Sequence, residues 1–284
     1  MLGIAALVFS PTPIALLGAR ENKTWMALGV MITASVVGMV LGAWIALSFL
    51  LAYGLLCLGL TLPLGKLEKG SECLLFCVVV SIISKVLFVV VSVALSGSNP
   101  FDVDINVLNN TYAGMLATGD READEALSQA VALIPYMFPF FIIVYSMCDS
   151  FINYRLCEIL QSKHEVKFPP LPPFGEWRFP SSILYVLVFA FALPFVVESG
   201  DQLWKMMEIN LKFIVNIFFF LQGLALVWWW LSKFAKNAAG RPFPLPLRIM
   251  LVGFLAMPFF NTLVAVLGLG DICIDFRTKK IKRA

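Results

Sequence analysis

Lys85 is the single charge in the apolar run from Cys73 to Leu95, a stretch long enough to cross a bilayer. An ammonium at mid-membrane costs roughly 2.5–3.5 kcal/mol on insertion scales, so it needs a partner, a wet cavity or a neutral amine. Counting along helices at 1.5 Å per residue gives the other polar groups a depth. Lys85 lies about 15 Å below the outer boundary, Asn216 about 14 Å and Asn261 about 12 Å, one common layer. An amide carbonyl accepts from an ammonium, so Asn216 and Asn261 are the expected neighbours of Lys85. Asp149 and Asn153 share one helix face at about 28 Å, near the cytoplasmic boundary, with Gln222 at a similar depth. An offset of more than about 10 Å disfavours a direct Lys85–Asp149 salt bridge. Helix-end solvation or pairing with the adjacent basic loop suits Asp149 and Asn153 better. Lys85 has two readings: a hydrogen-bond centre holding the fourth, seventh and eighth spans, or a binding or gating group in a polar cavity. Asp149, Asn153 and Gln222 are further candidates to line that cavity.

The supply of other chemistry is thin. His164 is the single histidine and falls in a loop, and no paired carboxylates have metal-binding or intramembrane-protease character. No glycine-rich phosphate loop is present, so nucleotide hydrolysis would come from another protein. Cys57, Cys73, Cys77, Cys148 and Cys157 lie within or at the ends of apolar segments, with Cys273 apart. No pair has zinc-ligand spacing, and small apolar fillers is their expected role. No enzyme activity, metal or cofactor is expected.

The elements that position these groups are membrane helices. Of 284 residues, 60% are hydrophobic and 14% charged, too few polar residues to cover a soluble domain of this size. Mean hydropathy is +0.88, and the apolar residues come in long blocks. The net charge of +3 gives no reason to expect nucleic acid as a partner; the lipid bilayer is the partner implied. The fold class expected is an all-α polytopic bundle of about eight transmembrane helices forming one membrane domain over 1–284. The spans run 2–18, two helices within 24–64 cut near Trp44, 73–95, 130–154, 181–197, 207–231 and 247–269. Spans one to four fall in 1–95, an external segment in 96–128 and spans five to eight in 129–284, with a proline-rich joint at 168–180. Met1 enters apolar sequence almost at once, without the basic start of a signal peptide, so a longer first helix is one expectation.

Lys and Arg orient the bundle. Arg20 and Lys23, Lys66 and Lys69, the run from Arg155 to Arg178, and the run from Lys233 to Arg248 mark cytoplasmic loops. The segment 96–128 carries six acids and falls outside, a lid over an external cavity or an ordinary surface excursion. The basic tail Arg277, Lys279, Lys280, Lys282 and Arg283 breaks the alternation. A plain eighth span puts it outside; a segment broken at Pro258 returns it inside. The plain span is the expectation, and the side of the tail stays open. Trp25, Trp44, Trp177, Trp204 and Trp228–Trp230 fall at span ends, as interfacial anchors do.

Ala34, Gly38, Gly42 and Ala46 repeat every fourth residue and let another helix approach closely. Packing within the chain is the expected use, and docking to a membrane partner subunit the alternative.

The string Pro169–Pro180, PPLPPFGEWRFP, preceded by Asn153-Tyr154-Arg155, resembles the joint of the YybS-like family of bacterial membrane proteins. Ser10-Pro11-Thr12-Pro13 leading to Gly42 and Gly54, Leu221-Gln222-Gly223-Leu224-Ala225, and the run Asp271-Ile272-Cys273-Ile274-Asp275-Phe276-Arg277 agree with it. The resemblance covers nearly the whole chain and implies a multi-pass protein of the bacterial inner membrane. The family's first part is distantly similar to substrate-binding subunits of energy-coupling-factor transporters and to the cell-shape protein MreD, an analogy of fold. Two functional expectations follow. One is a small-solute transporter or substrate-binding subunit with a small-molecule ligand at Lys85, Asn216 and Asn261. The other is a non-transporting scaffold that recruits partner proteins.

Overall fold

The computed structural model describes residues 9–96, 125, 129, 133–161, 168–196, 202–233 and 244–277. They are helical throughout their ordered elements, with no strand among the described residues. The chain is an all-α polytopic membrane protein. It divides into two compact units, Met1–Leu171 and Pro172–Ala284, with the boundary inside the proline-rich joint.

The first unit holds α1 (Pro11–Arg20), α2 (Lys23–Leu41), α3 (Ala43–Thr61), α4 (Gly70–Ser96) and α5 (Phe138–Leu160). Pro11 starts α1 where a missing N–H costs nothing, and the side chain of Asn22 caps α2 by accepting from the amides of Thr24 and Trp25. Gly18 meets the Met26 side chain so closely that a Cβ would collide with it, which closes the α1–α2 turn. Gly42 joins α2 to α3 at φ 99°, a backbone that side chains resist. The break expected near Trp44 therefore falls two residues earlier. Around it Gly38 faces the Ala46 methyl, and Ala34 is buried, so the small-residue stripe packs α2 on α3.

Midway, α3 loosens into a π turn at Leu50–Gly54. The Ser84 hydroxyl of α4 donates to the carbonyls of Leu51 and Ala52 there, satisfying backbone that the wider turn exposes. At the other end of α4, Gly70 sits against the carbonyls of Pro169 and Pro170, while the Tyr154 hydroxyl donates to Pro169 at 2.8 Å. Ala15, Leu56, Leu60, Cys73, Cys77, Tyr154, Cys157 and Phe168 form the core between them. Cys57 is buried in a neighbouring cluster; Cys148 and Cys273 are exposed.

The second unit holds α6 (Ile183–Val196), α7 (Gln202–Lys233), α8 (Leu245–Leu255) and α9 (Asn261–Ile274). Gly223 of α7 lies against the backbone of Val264, and Gly268 of α9 against the backbone of Phe219. Any side chain at either glycine would drive the two helices apart, so this pair of absent Cβ atoms is what lets them touch.

Among the described residues the eight expected spans are not all found. Five helices there are long and apolar enough to cross a membrane: α2, α3, α4, the run Ile134–Leu160 containing α5, and α7. A sixth arises if α8 and α9 count as one broken span. The 14-residue α6 measures about 21 Å, short of an apolar layer about 30 Å thick. Of the first expected span, residues before Phe9 lie outside the described residues, as does nearly all of the external segment 96–128.

The plain eighth span is overturned. Between α8 and α9 the direction turns by 74°, through Met257 and a 3-10 turn at Pro258–Phe260. Proline cannot donate within a helix, and Pro258 accordingly starts a new turn. Arg277 is likewise no member of a free basic tail, because its side chain is buried. The residues beyond it lie outside the described ones.

Candidate functional site

In the first unit, Lys85 Nζ donates to Asp149 Oδ2 at 3.1 Å and to Ser81 Oγ at 2.6 Å. Asp149 Oδ1 accepts from Asn153 Nδ2 at 3.0 Å, and Asn153 Oδ1 accepts from the Thr12 hydroxyl at 2.8 Å. One unbroken chain of polar contacts thus joins α4, α5 and α1. The charged side chains are 8% and 1% exposed, so the pair is withdrawn from solvent and from lipid. Lys85 also lies 4.8 Å from the centre of the Tyr145 ring, a cation–π distance. The Tyr145 hydroxyl meets that of Tyr53, which stands on the π turn of α3.

This corrects the expectation that Asn216 and Asn261 are the partners of Lys85. The error lay in where the fifth span begins. Its regular helix starts at Phe138, eight residues later than the expected 130, after a 3-10 turn at Ile134–Met137. Lys85 is eleven positions before the end of α4, and Asp149 eleven after the start of α5. Both are therefore about 16 Å from their helix ends, at one level. Asp149 and Asn153 are buried at 2% and 0%, so neither is a solvated helix end nor paired with the basic loop. Asn216 and Asn261 are half-buried members of the second unit, on α7 and at the start of α9.

The second unit has its own ion pair. Arg277 Nη2 lies 2.9 Å from Asp271 Oδ2, with both side chains almost fully buried. Arg277 Nη1 donates to the carbonyls of Gly175 and Trp177, the latter at 3.0 Å. Burial pushes the guanidinium below its ordinary range, against the opposing pull of Asp271. Gln222 completes the centre: its amide donates to Asp271 Oδ2 at 2.6 Å, and its carbonyl accepts from the Phe179 amide at 3.1 Å. Gln222 was expected to line a cavity; here it ties α7 to the joint and to α9. Gly175 in turn lies against Trp228 and Trp229 of α7. The end of α9 therefore reaches the end of α7 that carries Lys233, the side that the positive-inside rule assigns to the cytoplasm.

Several members escaped the sequence reading. Ser81 is a helix turn before Lys85, a spacing that could have identified it. Thr12, Asp271 and Arg277 stood inside short strings already singled out, without an assigned contact. Tyr53, Tyr145 and the π turn left no signal in periodicity. Those strings converge on the two centres. Ser10–Pro13 supplies Thr12, Asn153–Arg155 supplies Asn153, and the joint supplies the carbonyls and amide around Arg277 and Gln222. No group of three or more His, Cys, Asp or Glu among the described residues could hold a metal ion.

The helices and the two buried ion pairs define a multi-pass membrane protein with polar centres inside its helical units. The chain belongs to the family described as predicted membrane protein (DUF2232), whose profile matches residues 1–272. It is similar to the Uncharacterized protein YybS of Bacillus subtilis (strain 168), at 22% identity over 98% of this chain and 90% of that protein. No solved structure matches it.

Proposed function

We propose that this protein is a small-solute transporter, or the solute-binding subunit of one, in a bacterial inner membrane, with its solute site at Lys85 and Asp149. The observation that carries the reading is the buried Lys85–Asp149 contact between the middles of two spans. Ionisable groups inside membrane segments are costly and mark ion and solute pathways by default. A pair kept for stability alone is a poor bargain, because well-packed apolar residues in place of a buried ion pair are often neutral or stabilising. The adjacent π turn in α3 supports the same reading, since such turns occur frequently at functional sites. The role needs no chemical step of the chain's own, and a membrane partner subunit would supply any energy coupling.

Small molecules carried through purification provide the test. Wild type and the Lys85→Met/Asp149→Leu double variant, both extracted from membranes, are compared by mass spectrometry. A solute present with wild type and absent from an equally well-folded variant is the expected result. Identical small-molecule content in the two would remove the reading. The scaffold alternative gains nothing from the small-residue stripe, because Ala34, Gly38 and Ala46 are engaged in the α2–α3 hairpin.

A further inference from the structure

We infer that the Lys85–Asp149 centre takes a small zwitterionic solute, one anionic and one cationic group on a short carbon frame, bound with its anion on Lys85 and its cation on Asp149. The inference rests on the proposed solute-binding role and adds the class of solute.

The argument begins with charge balance. The pair touches at 3.1 Å, so a solute enters by parting α4 from α5 rather than by filling a space beside them. A solute with one charge would satisfy one partner and strand the other, and an uncompensated buried charge is strongly destabilising. A solute carrying both charges exchanges one ion pair for two. Nothing is left unpaired, and no net charge is buried.

Each group of the centre also has a polar companion on its own helix. Ser81 sits four residues before Lys85 on α4, and Asn153 four residues after Asp149 on α5. Each ion therefore keeps a hydrogen-bond partner on its own helix if the two helices separate. Thr12 holds Asn153 from α1, which keeps the amide turned toward the carboxylate.

A second observation points to an occupant. Ser146 stands one turn before Asp149 on the same face of α5, wholly buried, and its hydroxyl has no hydrogen-bond partner. Buried hydroxyls without partners are uncommon, and each costs free energy until something bonds to it. A solute seated between α4 and α5 brings acceptors to that face. Tyr145 lies over Lys85, and its hydroxyl meets that of Tyr53.

The test uses the purified full-length protein and its thermal unfolding midpoint. Glycine, L-alanine and γ-aminobutyrate serve as zwitterions with different charge separations; propionate and ethylammonium are the single-charge controls. The expected result is a rise of a few degrees with at least one zwitterion at large excess over its Kd, with no rise from either control. That rise should vanish in the Lys85→Met/Asp149→Leu variant and persist in the charge-swapped Lys85→Asp/Asp149→Lys variant, provided each variant elutes as a folded species. A rise with propionate or ethylammonium alone, lost in the neutral variant, overturns the zwitterion while leaving a solute site in place. Equal rises in wild type and the neutral variant, or none in wild type, also overturn it. The broader reading then stands or falls on the co-purified small molecules alone.

Discussion

Among the described residues the two units each bury one ion pair, and they do so in opposite ways. In the first, the partners are 64 residues apart in sequence, on two long helices that meet at mid-span. Each partner has a neutral companion on its own helix, so one ion pair carries the charge contact between them. In the second, the partners are six residues apart, on the end of α9 and just beyond it. Arg277 also binds the carbonyls of Gly175 and Trp177, and Gln222 fastens Asp271 to α7. Charge is therefore separable in the first centre and locked to backbone in the second. Equal burial does not imply equal roles.

The largest expected effect comes from halving the first pair. Lys85→Ala leaves Asp149 buried and without its counter-charge, at a cost of about 3–5 kcal/mol. Chromatography of detergent extracts should show little folded protein, and the Lys85→Met/Asp149→Leu double variant should recover it. If the single variant were as stable as wild type, the pair would be wet and the contrast between the centres lost.

Arg277→Ala should cost nearly as much, about 3 kcal/mol, but its rescue should fail. Removing both charges with Asp271→Leu/Arg277→Met still leaves the Gly175 and Trp177 carbonyls without their donor. Thermal unfolding of the double variant should therefore stay well below wild type. Full recovery would make the second centre as separable as the first. Gln222→Leu should have a smaller effect, about 1–3 kcal/mol, by orphaning the Phe179 amide and removing one donor to Asp271. Limited proteolysis within the joint reads that loosening directly.

The helical class, a break near Trp44 (two residues from the true one at Gly42) and the unusual status of Lys85 were legible in the sequence, because apolar blocks and lone charges can be read one residue at a time. The partner of Lys85 was missed because depth was counted from an assumed helix start. Ile134–Met137 forms a 3-10 turn that hydrophobicity alone does not distinguish from the helix it precedes. A helix end misplaced by a few residues moves a side chain by several ångströms along the axis, enough to hide an ion pair. The bend before α9 was foreseen as an alternative from Pro258, but the close α7–α9 approach that holds it depends on Gly223 and Gly268 meeting backbone. Such contacts have no one-dimensional signature. Arg277 read as tail for the same reason: its acceptors are carbonyls 100 and 102 residues away.

The smallest effect tests how the first centre keeps its charges ready to part. Thr12→Val removes the donor to Asn153 Oδ1 and leaves shape and volume nearly unchanged. Lys85 and Asp149 keep their contact, so stability should fall by only about 1 kcal/mol. Freed from Thr12, the Asn153 amide no longer has to face Asp149, and the carboxylate depends more heavily on Lys85 alone. In the Thr12→Val background, Lys85→Ala should then cost more than in wild type. A double-mutant cycle on the folded fraction recovered in detergent extracts measures that coupling. A coupling of zero would mean that Asn153 holds Asp149 without help from α1, and that the three-helix chain of contacts is two independent pairs.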